Sequence, residues 1–283
     1  MNARNQTDFL PLAGMLEVVG VDVEVPGRSL LQAASAQFIA GQVTAVLGPN
    51  GAGKSTLMSL LTGQRRPTGG HVYLAGKALP AYASADLARV RASVAQETQI
   101  AFEFTVREVV ELGRYPHRRQ PGRNEADVVM QAMQATAVDH LQHRALNTLS
   151  GGEKARVHLA RALAQVWEPV AGIAGDDPVR WLLLDEPTAA LDLQHQHRML
   201  QLVRAWATAQ GVGVVAVLHD LNLALRYSDC CVVLQGGRVV GSGATADVLT
   251  PLCIEKVWGV VARPVATQGG APGPRQYLFD APL

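Results

Sequence analysis

The sequence predicts an α/β fold, a mostly parallel sheet covered by helices and interrupted by a helical insertion, and three observations carry it. Short apolar runs at residues 42–47, 181–184 and 212–218 alternate with helix-forming stretches at 56–61, 153–165 and 193–208. This is the rhythm of strands joined by crossover helices. Between the two halves, residues 84–149 change texture to Ala, Glu, Arg, Gln and Met with few β-branched runs, so this block reads as mostly helical. A glycine-rich loop joins the 42–47 run directly to a helix start.

Taken in order, residues 16–25 alternate in places between apolar and polar and read as a strand closed by Pro26-Gly27. A short strand at 71–74 precedes Gly76, and residues 114–124 form a polar, proline-containing connection inside the helical block. The last core strands, 230–234 and 238–240, flank a Gly236-Gly237 turn. Residues 167–177 and 268–275, rich in Gly, Ala and Pro, read as loops, and 276–279 as a strand closing the tail. No internal repeat is visible.

Composition bounds the function. With 25 Lys+Arg against 24 Asp+Glu in 283 residues the net charge is +1, which argues against a nucleic-acid partner held by the phosphate field. Charged residues are only 17%, below the roughly 25% of a typical soluble domain. Yet no stretch approaches the ~18 uninterrupted apolar residues of a spanning helix. Cys230, Cys231 and Cys253 form no CxxC pair, and the first two sit in an apolar run as buried thiols do. Residues 1–9 are polar, without the apolar core of a secretion signal, so a reducing cytoplasm is expected.

The strongest motif is Gly48-Pro49-Asn50-Gly51-Ala52-Gly53-Lys54-Ser55-Thr56, a G-x-x-x-x-G-K-[ST] phosphate loop set between strand and helix. Its glycines let backbone N–H groups converge on the α- and β-phosphates, and the following helix adds the positive end of its dipole. Lys54 supplies charge to the β- and γ-phosphates, and the Ser55 hydroxyl is placed for Mg²⁺. The strand at 181–184 ends in Asp185-Glu186. Alone this is weak, since any buried strand can end in acids. Beside a phosphate loop, Asp185 becomes a metal ligand, directly or through water, and Glu186 can take a proton from an attacking water. Leu149-Ser150-Gly151-Gly152-Glu153 opens the helix at 153–165. Ser-x-x-Glu is a capping box, whereas the bare glycines suit an anion at a helix N-terminus; on these residues alone both readings stand.

These motifs resemble the nucleotide-binding subunits of ABC transporters over nearly the whole chain. In that pattern Ser150, Gly151 and Gly152 belong to the signature, 185–186 close the Walker B strand, and 187–192, ending in Asp192, look like the D-loop. Gln96 falls where the family has its Q-loop glutamine and His219 where it has its switch histidine. The resemblance implies a P-loop NTPase core at about 14–95 and 150–265 in one ATPase domain spanning 1–283. It also implies an N-terminal antiparallel β part, a helical subdomain at about 96–149 and a tail at 266–283. It further implies ATP and Mg²⁺, with each ATP held between the phosphate loop of one copy and the signature of a second. Glu186 would be the general base, His219 would contact the γ-phosphate, Gln96 would touch Mg²⁺ and sense the membrane partner, and Asp192 would lie at the nucleotide. The family usually stacks adenine on an aromatic near the end of the first strand; residues 21–27 contain none. Base stacking is worth about 1–3 kcal/mol in single-stranded nucleic-acid complexes, so adenine is expected to be held more loosely or by valine contacts.

A lone ATPase domain implies separate membrane subunits, as in bacterial importers. Residues 109–117 and 218–224 are similar to importers of iron–siderophores, cobalamin and haem. The long 165–180 segment and the 190–197 stretch are similar to the haem import ATPases in particular. The implied partners are a second copy, two transmembrane permease subunits and, indirectly, a periplasmic haem-binding protein, at the cytoplasmic face of the inner membrane. Iron–siderophore or cobalamin import is the alternative, and a soluble ABC ATPase acting on DNA or ribosomes is remote. His195 and His197 are i,i+2 on a helix and face apart, so they read as solvated surface rather than ligands, as do His117, His140 and His143.

Overall fold

The computed structural model describes residues 14–95, 103–122, 124–173, 179–265 and 276–281. It opens with a hairpin of β1 (Met15–Val25) and β2 (Arg28–Ile39), followed by β3 (Val43–Leu47), α1 (Lys54–Leu61), β4 (Gly69–Leu74), β5 (Lys77–Ala78), α2 (Ser84–Val90) and β6 (Arg91–Val94). The helical block holds α3 (Val106–Glu111) and α4 (Glu125–Ala135), and α5 (Gly151–Gln165) follows it. Then come β7 (Arg180–Leu184), α6 (Leu193–Gln210), β8 (Val212–Val217), α7 (Leu221–Tyr227), β9 (Cys230–Gln235) and β10 (Arg238–Ala244). The chain closes with α8 (Thr245–Val248), α9 (Pro251–Trp258) and a ribbon of β11 (Val261–Pro264) with β12 (Tyr277–Asp280).

The main sheet has the order β10-β9-β3-β8-β7-β6, parallel except for the antiparallel edge β10. An antiparallel sheet, β2-β1-β4-β5, lies beside it. Alternation along the parallel strands divides two cores. Leu182, Leu184, Val214 and Ala216 join the helical side with α5, α6 and α7, while Trp181, Leu183, Val215 and Val217 join α1 and the antiparallel sheet. A strand buried on both faces needs apolar residues at every position, so these segments read as continuous runs.

Helix ends follow their caps. Thr105 with Glu108 and Ser150 with Glu153 form complete capping boxes for α3 and α5. Thr250 caps α9, with Pro251 in its first turn, and Gly259 closes it at φ 68°.

Several expectations change. Residues 91–94, read inside a helical texture, form an edge strand paired to β7; four residues following a helix leave almost no periodic signal. The strand at 28–39 went unread although Ala34, Ala36 and Phe38 alternate into the core. The polar connection at 114–124 is not simply solvated. Arg114 and His117 are buried: Arg114 makes a forked pair with Glu125 at 2.6 and 2.8 Å, and the His117 ring nitrogen meets the Gln165 carbonyl at 2.8 Å. His197 is likewise not free surface, since its Nδ1 lies 2.7 Å from the Tyr227 hydroxyl. The tail strand is present as β12, whereas 268–275 lies outside the described residues.

Candidate active site

The parallel sheet presents its C-terminal edge as a row, the place where open α/β sheets bind ligands. Along the neighbours β3, β8 and β7, that edge leads in turn into the phosphate loop, His219 and Asp185-Glu186. The next strand, β6, leads toward Gln96, which lies outside the described residues.

The loop from Gly48 to Gly53 turns on left-handed residues that only glycine adopts cheaply, with φ of 147° at Gly48 and 106° at Gly53. It is also packed: a Cβ on Gly48 would overlap the Leu234 carbonyl oxygen, and one on Gly53 would lie 2.8 Å from the Leu31 side chain. Pro49 and Asn50 lead out to exposed Gly51, and Ala52 anchors the turn in the core. Gly53 supplies no side-chain cap to α1, so the first amides of that helix, at Lys54, Ser55 and Thr56, have no internal carbonyl and face an anion-ready end. Lys54 is buried; its Nζ donates to the carbonyls of Gly48 at 2.8 Å and Pro49 at 3.0 Å. Burial pulls the ammonium below its ordinary range, and the Glu186 and Asp185 carboxylates oppose that.

Asp185 has one oxygen, Oδ1, that is buried without a hydrogen-bond partner, while its carboxylate accepts from the Ser55 side chain. Burial first, and the neighbouring Glu186 second, raise its pKa, opposed by Lys54 and His219. A buried carboxylate oxygen without a donor suits a cation better than a solvated surface. Ser55 and Asp185 offer a cation few protein oxygens, a donor set that fits Mg²⁺, which takes one or two carboxylates and completes its shell with phosphates and water.

Glu186 is held at φ 52°, a left-handed setting rare outside glycine. Its Oε1 lies 2.7 Å from His219 Nε2. A carboxylate fixed to an imidazole beside a phosphate loop can accept a proton while the ring orients it.

The signature segment opens α5. Ser150 Oγ accepts from the Glu153 amide at 3.3 Å, and the Glu153 carboxylate accepts from the Ser150 amide at 2.8 Å. The Ser150 amide and hydroxyl, the latter donating at 2.8 Å, hold the Glu153 carboxyl below the usual range. Gly151 and Gly152 face Ala190 and Leu191. Asp192 caps α6, accepting from the His195 amide at 2.8 Å and its ring nitrogen at 2.7 Å. A cavity of about 300 Å³ separates α5 from the Walker B end, lined by Gly151, Lys154, His158, Asp185, Glu186 and Ala190 among others.

The ABC transporter family model matches residues 31–189, and that span includes the phosphate loop, the signature and the paired carboxylates. This chain belongs to the ABC transporter family. The hemin import ATP-binding protein of Gloeobacter violaceus is 48% identical over 247 residues, covering 87% of this chain and 88% of that one. Its counterpart from Methylobacillus flagellatus is 43% identical over 242 residues, with 85% and 88% covered. Among solved structures, the chain is similar to an ABC transporter in an inward-facing conformation, assigned provisionally to the metal-chelate type. The TM-score is 0.75 with 26% identity, covering 93% of this chain and 96% of that one.

The chain is thus an ATP-binding, ATP-hydrolysing member of the ABC family. The motif reading found the groups along β3, β8 and β7 but not Lys154 and His158. These two sit i,i+4 on α5 and line the cavity facing the Walker B carboxylates. Their spacing was visible in the sequence; the proximity of α5 to β7 was not.

Proposed function

We propose that this chain is the ATP-hydrolysing subunit of a bacterial importer that carries haem across the inner membrane. The carrying observation is the identity of 43–48% to hemin import ATP-binding proteins over most of each chain, joined to the phosphate loop, His219 and Asp185-Glu186 placed along one sheet edge. Two copies act together with two membrane permease subunits, at the cytoplasmic face of the membrane, and a periplasmic haem-binding protein delivers cargo. Among the described residues no helix is long and apolar enough to cross a membrane, in keeping with spanning helices supplied by a permease. A groove of about 610 Å³ beside α2 and the β6 strand that leads toward Gln96 has an apolar floor including Leu60 and Leu79, with Arg65, Arg66 and Arg91 among its lining residues. It suits a permease segment.

In this reading the amides of 48–56 and Lys54 grip the β- and γ-phosphates. Ser55, Asp185 and Gln96 would hold Mg²⁺, which when bound neutralises phosphate charge. A water attacks the γ-phosphorus in line as its bond to the ADP oxygen breaks. Glu186 accepts the water's proton, and His219 holds that carboxylate and contacts the γ-phosphate. Ser150, Gly151 and Gly152 of a second copy complete the site, with Asp192 at the same junction. ATP draws the two copies together and hydrolysis releases them, moving the permease.

Iron–siderophore or cobalamin is the alternative cargo, since these chelates, like haem, fit the type to which the solved neighbour is provisionally assigned. One experiment separates them: ATP hydrolysis by the assembled complex in proteoliposomes, with haem-loaded or siderophore-loaded binding protein. Haem-loaded protein stimulates turnover severalfold and the siderophore-loaded protein does not; absence of stimulation by haem overturns the cargo.

A further inference from the structure

The switch histidine is held from a side that the nucleotide motifs do not explain. His219 is exposed, 46% for its side chain, and its Nε2 lies 2.7 Å from Glu186 Oε1. Packing does not fix such a ring; its position depends on the backbone on each side. Before it runs β8, buried and tied into the sheet. After it comes α7, only seven residues long and capped by Asp220, which accepts from the amides of Asn222 at 2.7 Å and Leu223 at 3.0 Å. A helix this short has little stability of its own, so an outside contact is needed to hold its first turn.

That contact comes from the end of the chain. The Asn222 side chain donates to the Tyr277 carbonyl at 3.0 Å and accepts from the Tyr277 amide at 2.9 Å. This fork pairs one amide side chain with both polar groups of a single residue on β12. Tyr277 is itself pinned: it is 4% exposed, belongs to the main core with Leu221, Leu249 and Ala262, and donates its hydroxyl to the Leu249 carbonyl at 3.0 Å. Its strand is held to β11, reinforced by an Arg263–Asp280 ion pair at 2.6 Å. A strand anchored in the core through Tyr277 therefore grips the first turn of α7, three residues beyond His219.

We infer that Asn222 is a positioning residue for hydrolysis, and that the β11–β12 ribbon serves as a latch holding His219 in register with Glu186. The inference rests on the role proposed above for Glu186. The latch itself touches neither nucleotide nor metal, so loosening it slows the chemical step far more than it weakens ATP binding. Small misplacements of catalytic groups cost up to about 100-fold in rate, and losing one outside contact is expected to cost about tenfold.

The test uses the full chain with ATP and Mg²⁺. Asn222→Ala is expected to lower kcat about tenfold with KM for ATP changed less than about twofold. Asn222→Gln, which keeps both polar groups on a longer arm, recovers part of the loss and guards against a variant that simply folds poorly. Arg263→Gln, which weakens the ribbon but leaves the fork in place, lowers kcat less than Asn222→Ala does. In the Glu186→Gln background, Asn222→Ala produces no further loss, because both changes disable one unit. Wild-type kcat in Asn222→Ala, or a loss that multiplies fully with that of Glu186→Gln, overturns the latch. Full turnover by Glu186→Gln alone overturns the general-base assignment first, and the latch with it.

Discussion

Two glycine-rich helix starts in this molecule look alike in sequence and differ in physics. At α1 the fold enforces the site. Gly48 and Gly53 are left-handed and closely packed, the helix has no side-chain cap, and buried Lys54 folds back onto the loop carbonyls. At α5 the helix is already satisfied by its own Ser150–Glu153 box, and its glycines have room: a Cβ on Gly151 would come no closer than 3.7 Å to Ala190. The first is complete in one copy. The second has glycines that its own copy does not need, which is the arrangement expected if a second copy's nucleotide approaches them.

The largest effect expected is on chemistry. Glu186→Gln should lower kcat by about 10²–10⁴-fold while ATP binding, measured by fluorescent-nucleotide titration, persists. Lys54→Ala should weaken ATP binding about 10- to 100-fold, the worth of a hydrogen-bonded charge; binding within twofold of wild type would show that the lysine only braces the loop. The two glycine sites separate next. Gly48→Ala should lose about 3 kcal/mol or more by urea unfolding, since the new methyl meets a backbone oxygen in a left-handed setting. Gly151→Ala should keep or slightly raise the thermal midpoint yet lower the ATP turnover of the assembled pair. Equal stability losses at the two sites would erase the distinction.

Smaller effects concern α5. His158 is 7% exposed with an unpartnered Nδ1, and burial, then the Arg161 and Lys154 charges, push its pKa down from the ordinary 6.5 to about 4. The unfolded chain takes up this proton more readily than the folded one. The stability from keeping the ring neutral is therefore intact above pH 6.5 and erodes as pH falls toward 4, by up to about 3 kcal/mol. His158→Leu should flatten that acid limb in chemical denaturation between pH 7 and 4; an unchanged limb would place the loss elsewhere. Ser150→Ala removes one half of the capping box and should cost about 1 kcal/mol, read as a lowered thermal midpoint.

Where local chemistry and fold agree, the sequence was legible. The loop at 48–56, the buried strands at 181–184 and 212–218 and the Ser150 box each carry their own signal, through glycine spacing, apolar runs or a cap. The reading failed where tertiary packing decides. Arg91–Val94 is a strand because β7 offers it an edge, and Arg114 and His117 are buried because Glu125 and the end of α5 meet them. The site residues were named from motifs, but the Glu186–His219 contact, the orphaned Asp185 oxygen and the Asn222–Tyr277 fork depend on elements far apart in the chain. No local pattern encodes such contacts.

The central claim, a nucleotide site divided between two copies, is tested most directly by mixing two inactive variants. Lys54→Ala has a disabled phosphate loop and an intact signature; Gly151→Val has the reverse. If the site is shared, mixed pairs contain one intact site, and the mixture hydrolyses ATP with the permease when neither variant does so alone. If mixing restores no hydrolysis although mixed pairs are shown to form, loop and signature act within one copy, and the account is contradicted.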